Sequence, residues 1–174
     1  TSNGTVVTSF SELTAAVTKA EKAGGGIVYV KGSSISCTAQ LALKASNANV
    51  SIIGVKNSDG TYPVLDFSAF RSAYIGKATT DSEVGIRISG SNYTIKNLII
   101  QKAPDNGIQI KGSSAGNNTI ENCIVRYNND AGVQITGGAY SNTMRFVYSY
   151  RNCDVYTLGG NADGFAPKLG AGKG

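Results

Sequence analysis

Short runs of alternating apolar and polar residues, separated by Gly, Asn, Ser or Asp, fill most of the chain after its first 25 residues. A period of two is typical of β-strands, whose successive side chains lie on opposite faces. These runs read "GIVYVKG", "VSIIGVK", "YPVLDF", "VGIRISG", "YTIKNLIIQ", "NGIQIKG", "NTIENCIVRY", "AGVQITGG" and "NTMRFVYSY". We therefore expect a protein built mainly from short strands.

One segment near the amino terminus, "SFSELTAAVTKAEKAGGG", has helical periodicity instead. Ser9 and Glu12 have the spacing of a capping box, and three glycines starting at Gly24 end the pattern. The apolar residues on one helical face are Phe10, Leu13, Val17 and Ala20. The sequence predicts a helix over residues 9–23, and helical periodicity disappears after it.

The strand pattern repeats along the chain. "GIRISG" from Gly85 returns as "GIQIKG" from Gly107, 22 residues later, and as "GVQITG" from Gly132, 25 residues after that. Gly164 in "DGFAPK" lies a further 32 residues on. A second unit, "YTIKNLII", "NTIENCIV" and "NTMRFVYS", recurs between the glycines. A period of about 20 to 30 residues made of short strands is typical of a solenoid whose coils stack on one another.

Two classes of solenoid share this period. A leucine-rich repeat needs several Leu at fixed offsets and an Asn or Cys column, and the sequence lacks that pattern. Three strands per coil, with Asn and Gly at the bends, favour an all-β fold, a right-handed parallel β-helix with the N-terminal helix as a cap over its first coil. The inward columns would be Ile86, Ile108, Val133 and Phe165, and beside them Ile88, Ile110, Ile135 and Pro167.

Alternate residues of the repeated strand must then point outward. The first outward column would contain Arg87, Gln109, Gln134 and Ala166, and the second Ser89, Lys111, Thr136 and Lys168. Polar and cationic side chains stacked about 4.8 Å apart form a surface suited to an extended polar polymer. An outer face also needs solvated residues for solubility alone, and the pattern leaves both readings open.

Asn97 and Asn122 recur at the bend between two strands of a coil. Asn tolerates the left-handed backbone conformation, and its side chain can bond to the copies above and below, so we read a structural ladder rather than a ligand site. Phe146 takes this place in the third coil, and we expect the ladder to end or be covered there.

Composition narrows the possible chemistry. The chain of 174 residues contains no His, which excludes Ser-His-Asp and Cys-His catalysis and His-ligated zinc. Cys37, Cys123 and Cys153 lack CxxC spacing, so we expect small core residues and at most one disulfide. The length fits a single domain over residues 1–174, with the β coils over 27–174.

The net charge of +5 is compatible either with an anionic partner or with the plain need for solubility. The sequence has no dense Lys/Arg run, no Trp and no nucleic-acid-binding motif, so we expect no nucleic-acid partner. No apolar stretch approaches the about 18 residues of a membrane span, so we expect no membrane partner either.

Three segments resemble the family 9 pectate lyases, secreted β-helical enzymes that cleave polygalacturonate. They are "GIRISGSNYTIKNLIIQKAPDNGIQIKG", "NNTIENCIVRYNNDAGVQITGG" and "YSYRNCDVYTLGGNADGFAPKLGAGKG". "NADGFAPK" followed by "GKG" is the most specific element, and the similarity extends from the capping helix to the last residue. The resemblance implies a secreted protein, polygalacturonate or pectin as its partner, and calcium-assisted β-elimination with a lysine base.

Asp163 in "NADGFA" matches the first calcium-binding aspartate of that family. The resemblance implies that the other aspartates, in a "DDGxD" motif, and the base lysine come after Gly174, so we expect an incomplete Ca²⁺ site and leave the catalytic residue unassigned. Lys168 matches the lysine of "ADGFAxK" and is expected to contact solvent or a substrate carboxylate, not to act as the base. The candidate substrate-binding residues are Lys168, Lys111, Arg87, Gln109 and Gln134.

A β-helix that stops after its third repeated coil would expose apolar core and strand edges. We therefore expect either a chain truncated at its carboxyl-terminal end or a homo-oligomer formed through the carboxyl-terminal coil. Three functions remain open: part of a pectate lyase, a non-catalytic module that binds acidic polysaccharide, and a structural β-helix that assembles with itself.

Overall fold

A computed structural model describes residues 4–154, 158–160, 162–168, 170 and 171. The strands are short, and most have alternating burial along their length. In chain order they are β1 (Thr5–Val7), β2 (Gly26–Val30), β3 (Ser34–Ser36), β4 (Leu41–Leu43), β5 (Val50–Gly54), β6 (Val64–Asp66), β7 (Ile86–Ile88), β8 (Tyr93–Lys96), β9 (Ile99–Gln101), β10 (Ile108–Lys111), β11 (Thr119–Arg126), β12 (Val133–Thr136), β13 (Thr143–Tyr150) and β14 (Phe165–Pro167). Two helices accompany them, α1 (Phe10–Lys22) and α2 (Ser68–Ser72).

The strands stack in parallel on three faces of a right-handed parallel β-helix. The first face contains β1, β2, β5, β8 and the amino-terminal halves of β11 and β13. The second contains β3, β6, β9 and the carboxyl-terminal halves of β11 and β13. The third contains β4, β7, β10, β12 and β14. The predicted all-β solenoid is therefore confirmed.

The predicted register of the third face is also confirmed. Ile86, Ile108 and Val133 pair in one buried inward column, and Arg87 pairs with Gln109 in the outward column beside it. The strand pairing continues to β14, whose Phe165 and Ala166 pair with Val133 and Gln134. The predicted burial is wrong there, because Phe165 and Pro167 are exposed and Ala166 is buried on a strand that pairs on one side only among the described elements. Thr136, predicted to face outward, is also buried. The inner faces join into one hydrophobic core that runs along the helix axis.

The glycine that opens each repeat lies where two coils approach closely. A Cβ atom on Gly85 would lie 2.8 Å from the carbonyl oxygen of Gly107, and one on Gly107 would lie 2.9 Å from that of Gly132. Gly132 has the same relation to Gly164, at 2.9 Å. The repeated glycine is therefore explained by the spacing between coils, since only a residue without a side chain fits at this position.

The bends between the first and second faces follow the predicted asparagine ladder. Asn97 (φ 59°) and Asn122 (φ 50°) are both left-handed, and the side-chain amide of Asn122 donates to Oδ1 of Asn97 at 2.8 Å. Phe146 has the same left-handed conformation (φ 53°) but no amide, and it is 74% exposed. The amide ladder thus ends at Phe146, as predicted.

Two more asparagine ladders, buried inside the bends, were not predicted from the sequence. Asn118 accepts the backbone N–H of Tyr93 at 3.0 Å, and its amide donates to Oδ1 of Asn142, also at 3.0 Å. Asn128 and Asn152 pair in the same way at 2.9 Å. Both pairs are 24 residues apart in the sequence, which was the available signal. These amides satisfy backbone groups at bends where the strand ladders are interrupted.

The predicted helix over 9–23 is confirmed as α1, which begins after its N-cap Ser9. Ser9 Oγ accepts the N–H of Glu12 at 3.3 Å, and the Glu12 carboxylate accepts the N–H of Thr8 at 2.7 Å. Leu13 and Val17 are buried, and the helix packs against β1, β2 and β5. α1 therefore covers the strands at the amino-terminal end of the solenoid.

A second, short helix, α2, follows β6 in a part of the chain where the sequence shows no helical periodicity. The carboxylate of Asp66 accepts the N–H of Ser68 at 2.8 Å, and Phe70 is buried. A helix of five residues is too short to show a hydrophobic period in the sequence.

The three cysteines are free thiols. Cys37 and Cys123 belong to the hydrophobic core, as predicted, and Cys153 is half-buried. Among the described residues, neither helix has the length and apolar character needed to cross a membrane.

Replacing Gly107 by Ala tests the close approach of the coils. The added methyl group would lie 2.5 Å from Asn128 Nδ2 and from Val125 Cγ1, so we expect a loss of about 2 to 3 kcal/mol in the free energy of unfolding. Urea denaturation followed by circular dichroism measures this loss.

Gly24→Ala is the control, because Gly24 has a left-handed φ of +77° but no atom within 4 Å of the new Cβ. It should cost about 1 kcal/mol through backbone strain alone. Equal losses for the two variants would contradict the steric explanation of the glycine column.

Candidate functional site

The polar side chains predicted to face outward lie on three neighbouring strands of the third face. Arg87 is on β7, Gln109 and Lys111 are on β10, and Gln134 is on β12. Arg87 pairs with Gln109 and Gln109 with Gln134, so these three side chains lie in one column across successive coils. Lys111 lies in the neighbouring column, where it pairs with Thr136. Lys168 lies directly after β14, and it is half-buried.

A loop of residues 77–84, which comes just before β7, lies over this column. Its Asp81 side chain accepts hydrogen bonds from Lys111 Nζ at 2.5 Å and from Gln109 Nε2 at 2.9 Å. Arg87 Nη2 lies 3.4 Å from the same carboxylate. We call Arg87, Gln109 and Lys111 the carboxylate cradle. Three predicted site residues are therefore brought together, around a carboxylate that was not predicted from the sequence.

The cradle keeps Asp81 ionised. Burial alone would raise the pKa of Asp81, but the hydrogen bonds from Lys111 and Gln109 and the charges of Arg87 and Lys111 together hold this pKa below its usual value. The two ion pairs are partly exposed, with side-chain exposures of 27% to 38%. Pairs of this kind contribute little to stability, about 0 to 1 kcal/mol each.

The loop has three further anchors. Arg87 Nη1 donates to the carbonyl oxygen of Asp81 at 3.1 Å. Gln40 Nε2 donates to the carbonyl oxygens of Asp81 at 2.8 Å and of Val84 at 3.2 Å. Glu83 accepts the backbone N–H and the hydroxyl of Thr80 at 2.7 and 2.8 Å, which folds the loop on itself. The sequence showed no periodic signal for Asp81, because the loop interrupts the repeat.

Gln109 is the most enclosed member of the cradle, with 2% of its surface exposed. Its Nε2 donates to Asp81 and, at 2.9 Å, to Oε1 of Gln134. In the part of the chain that the structure describes, its Oε1 is buried and has no hydrogen-bond partner. A buried acceptor without a donor costs free energy, so this oxygen is a place where a bound hydroxyl group would be favourable.

A second charged group on the third face, the carboxylate of Asp130, lies just before β12. Burial raises the pKa of Asp130 to about 6, and the charges of Asp105 and Asp154 add to this shift. The N–H of Ala131, 2.6 Å from Asp130 Oδ1, and the charge of Lys168 oppose it. The 25-residue spacing of Asp105 and Asp130 was the signal in the sequence for this stacking.

Asp163, the predicted calcium ligand, comes just before β14 and is exposed. Its carbonyl oxygen accepts the N–H of Gly132 at 2.9 Å. Calcium requires about six to eight oxygen ligands. Across residues 4–154 and the described parts of 158–171, no three His, Cys, Asp or Glu side chains converge closely enough to hold a metal ion.

Comparison with known proteins identifies the family. The model of the Pel9A-like right-handed β-helix region matches residues 1–174. The chain belongs to this family. Pectate lyase L of Paenibacillus polymyxa (strain SC2) is 33% identical over 160 residues, which are 87% of this chain and 34% of that protein. The predicted resemblance to pectate lyases is confirmed.

A solved structure shares the fold of this Pel9A-like chain. The crystal structure of pectate lyase Pel9A aligns with a TM-score of 0.64 at 21% identity, over 83% of this chain and 37% of that one. The chain thus spans about a third of the length of the curated relative and of the solved structure.

Replacing Asp130 by Asn tests the charge crowding near the third face. The pKa in the folded chain, about 6, is above the ordinary 3.8, so the protonated carboxyl favours folding below about pH 4 and this contribution is lost as the pH rises through 6. Asp130→Asn should therefore raise the free energy of unfolding at pH 7 by about 2 kcal/mol.

Urea denaturation between pH 3 and pH 8 measures this effect, which should vanish at the acidic end. Asp59→Asn is the control, because the pKa of Asp59 is lowered by its hydrogen bonds to Thr61 and that substitution should bring no gain at pH 7. A wild-type stability that does not decline between pH 4 and pH 6, relative to Asp130→Asn, would contradict the raised pKa.

Proposed function

We propose that this chain is the polygalacturonate-binding part of a secreted pectate lyase and that the third face is its binding surface. Family membership supports the class of polymer, because Pectate lyase L is named for its action on pectate. The carboxylate cradle supports the third face as the binding surface. It already holds one carboxylate, that of Asp81, and this observation carries the proposal.

An acidic polysaccharide is complementary to this face in both charge and period. Polygalacturonate carries one carboxylate on each sugar, and the third face presents a new outward side chain at each coil, about 4.8 Å further along. Arg87, Lys111 and Lys168 supply positive charge, while Gln109 and Gln134 supply amides that donate to carboxylate and hydroxyl oxygens. A chain running parallel to the helix axis would meet these groups in turn.

The catalytic chemistry is proposed only for the whole protein. Elimination from a uronic acid requires neutralisation of its carboxylate and a neutral base near the proton to be removed. We propose Asp163 as one calcium ligand, with the remaining ligands and the base lysine outside the described residues. Lys168, whose charge acts on Asp130, is proposed to contact the polysaccharide and not to act as the base.

For residues 1–174 on their own, we also propose that copies associate through the carboxyl-terminal coil. Phe146, Tyr148 and Phe165 are 74%, 67% and 43% exposed there, and β13 and β14 each pair with a strand on one side only among the described elements. Exposed aromatic side chains beside open strand edges favour association. Light scattering at micromolar concentration tests this, and a monomer would contradict it.

Binding to polygalacturonate tests the proposed surface. Lys111→Gln removes a cation from the cradle, and loss of one charge-assisted hydrogen bond should weaken binding about tenfold. Lys96→Gln is a matched control on the first face. Each lysine forms one ion pair, Lys111 with Asp81 at 2.5 Å and Lys96 with Glu121 at 2.6 Å, and each side chain is 38% exposed.

Affinity electrophoresis in gels that contain polygalacturonate measures the difference. Relative to gels without the polymer, the Lys96 variant should be retarded as much as the wild-type chain, and the Lys111 variant should be less retarded. Equal retardation of all three proteins would place the polymer on another surface.

A separate experiment tests the proposal that residues 1–174 bind polygalacturonate but do not cleave it. Incubation of residues 1–174 with polygalacturonate, with calcium and then with a chelator, should give no growth of the ultraviolet absorbance of unsaturated product, because the proposed base lies elsewhere. Calcium-dependent growth would show that a base and a metal site exist in this chain, and Asp163→Asn and Lys168→Gln would then be the first variants to assay.

A further inference from the structure

The loop over the third face occupies the same carboxylate cradle that the proposed substrate would need. We infer that Asp81 is a built-in competitor of substrate carboxylates, and that the 77–84 loop must move off the carboxylate cradle before a polyuronate binds there. This inference rests on the proposed function. It adds that the contact between Asp81 and the carboxylate cradle affects how tightly a polyuronate binds to the third face.

The geometry of the cradle is that of a carboxylate-binding site. Gln109 Nε2 donates to Oδ1 of Asp81 at 2.9 Å, while Lys111 Nζ at 2.5 Å and Arg87 Nη2 at 3.4 Å face Oδ2. Both oxygens of one carboxylate are thus held by donors from two neighbouring coils. Two of the donors are cationic, which makes these hydrogen bonds stronger than neutral ones.

The charges leave the cradle attractive to an anion. Arg87 and Lys111 bring two positive charges, and Asp81 compensates only one of them. The other carboxylate of the loop, that of Glu83, accepts hydrogen bonds from Thr80 instead. An approaching polyanion therefore meets a net positive site and competes with a single side-chain carboxylate for it.

Gln109 indicates the chemical class of the ligand. Its buried Oε1 has no hydrogen-bond partner among the described residues, and an ionised Asp81 carries no donor to give it. A uronic acid in such a polymer carries hydroxyl groups on the same ring as its carboxylate. Such a sugar would satisfy the cationic side chains and the unpaired oxygen together, which Asp81 alone does not do.

The loop is suited to displacement. Its ion pairs to the third face are partly exposed, and such pairs contribute little to stability. Ile75, just before the loop, is 69% exposed, whereas Val84 at its end is buried, so the part of the loop that can move is the part around Asp81. Displacement must also break the hydrogen bonds that Gln40 Nε2 and Arg87 Nη1 donate to the carbonyl oxygen of Asp81, so the polymer has to bind several cradle groups at once to replace these contacts.

Asp81→Asn tests the competition. Asn keeps the size of the side chain but removes the competing charge, so the variant should bind oligogalacturonate about five to ten times more tightly than the wild-type chain in isothermal titration calorimetry. Asp59→Asn removes a carboxylate from an exposed turn held by Thr61, and it should bind as the wild-type chain does. Unchanged or weaker binding by Asp81→Asn would overturn the inference.

Failure of the inference and failure of the proposed function give different results. If Lys111→Gln weakens wild-type binding while Asp81→Asn does not strengthen it, the surface stands and only the competition is wrong. If Lys111→Gln has no effect on binding, the proposed surface is wrong and the inference falls with it. If neither the wild-type chain nor Asp81→Asn binds oligogalacturonate, both are overturned.

Trypsin gives a second readout on the unmodified chain. Lys77 is the one Lys or Arg between Arg71 and Arg87 in the sequence, so cleavage after it reports on release of the loop. Oligogalacturonate should accelerate this cleavage several-fold, whereas its fully methyl-esterified form, which has no charge, should not. Bound oligogalacturonate that leaves the cleavage rate unchanged would show that the loop stays in place, contrary to the inference.

Discussion

The close stacking of one coil on the next constrains every other part of this structure. Parallel strands hydrogen-bond only if each coil follows the same backbone path as its neighbour, so each position along that path has its own chemical requirement. Gly107 lies where a side chain would touch the carbonyl of Gly132, and Asn122 lies where the backbone must be left-handed. The buried amides of Asn118 and Asn128 satisfy backbone groups where the strand ladders stop.

The same stacking creates the candidate binding surface. Because outward side chains of successive coils share one column, Arg87 on one coil and Gln109 and Lys111 on the next approach a single point. No single coil supplies this arrangement, which is the geometric basis for the proposal that a polymer with a carboxylate on every sugar binds there. The stability of the fold and the proposed function therefore depend on one feature, the register between coils.

The fold could be predicted further than the site. The spacing of Gly85, Gly107 and Gly132 predicted the solenoid and the third-face register, because backbone sterics repeat wherever the coil repeats. Asp81 could not be predicted, since its loop interrupts the period and its partners are distant in sequence. Nor could the pKa of Asp130, which burial and the neighbouring Asp105 and Asp154 raise only in the folded chain.

The sequence by itself determined the class of fold, the capping helix and the register of the repeated strand, because period and chirality are local properties of the chain. Only the tertiary structure decided what the outward residues contact. Gln109, predicted to lie on an open face, is buried under Asp81 with one oxygen unpaired. The physical reason is that burial and charge pairing depend on the whole fold, and a loop can close over a surface that its strands leave open.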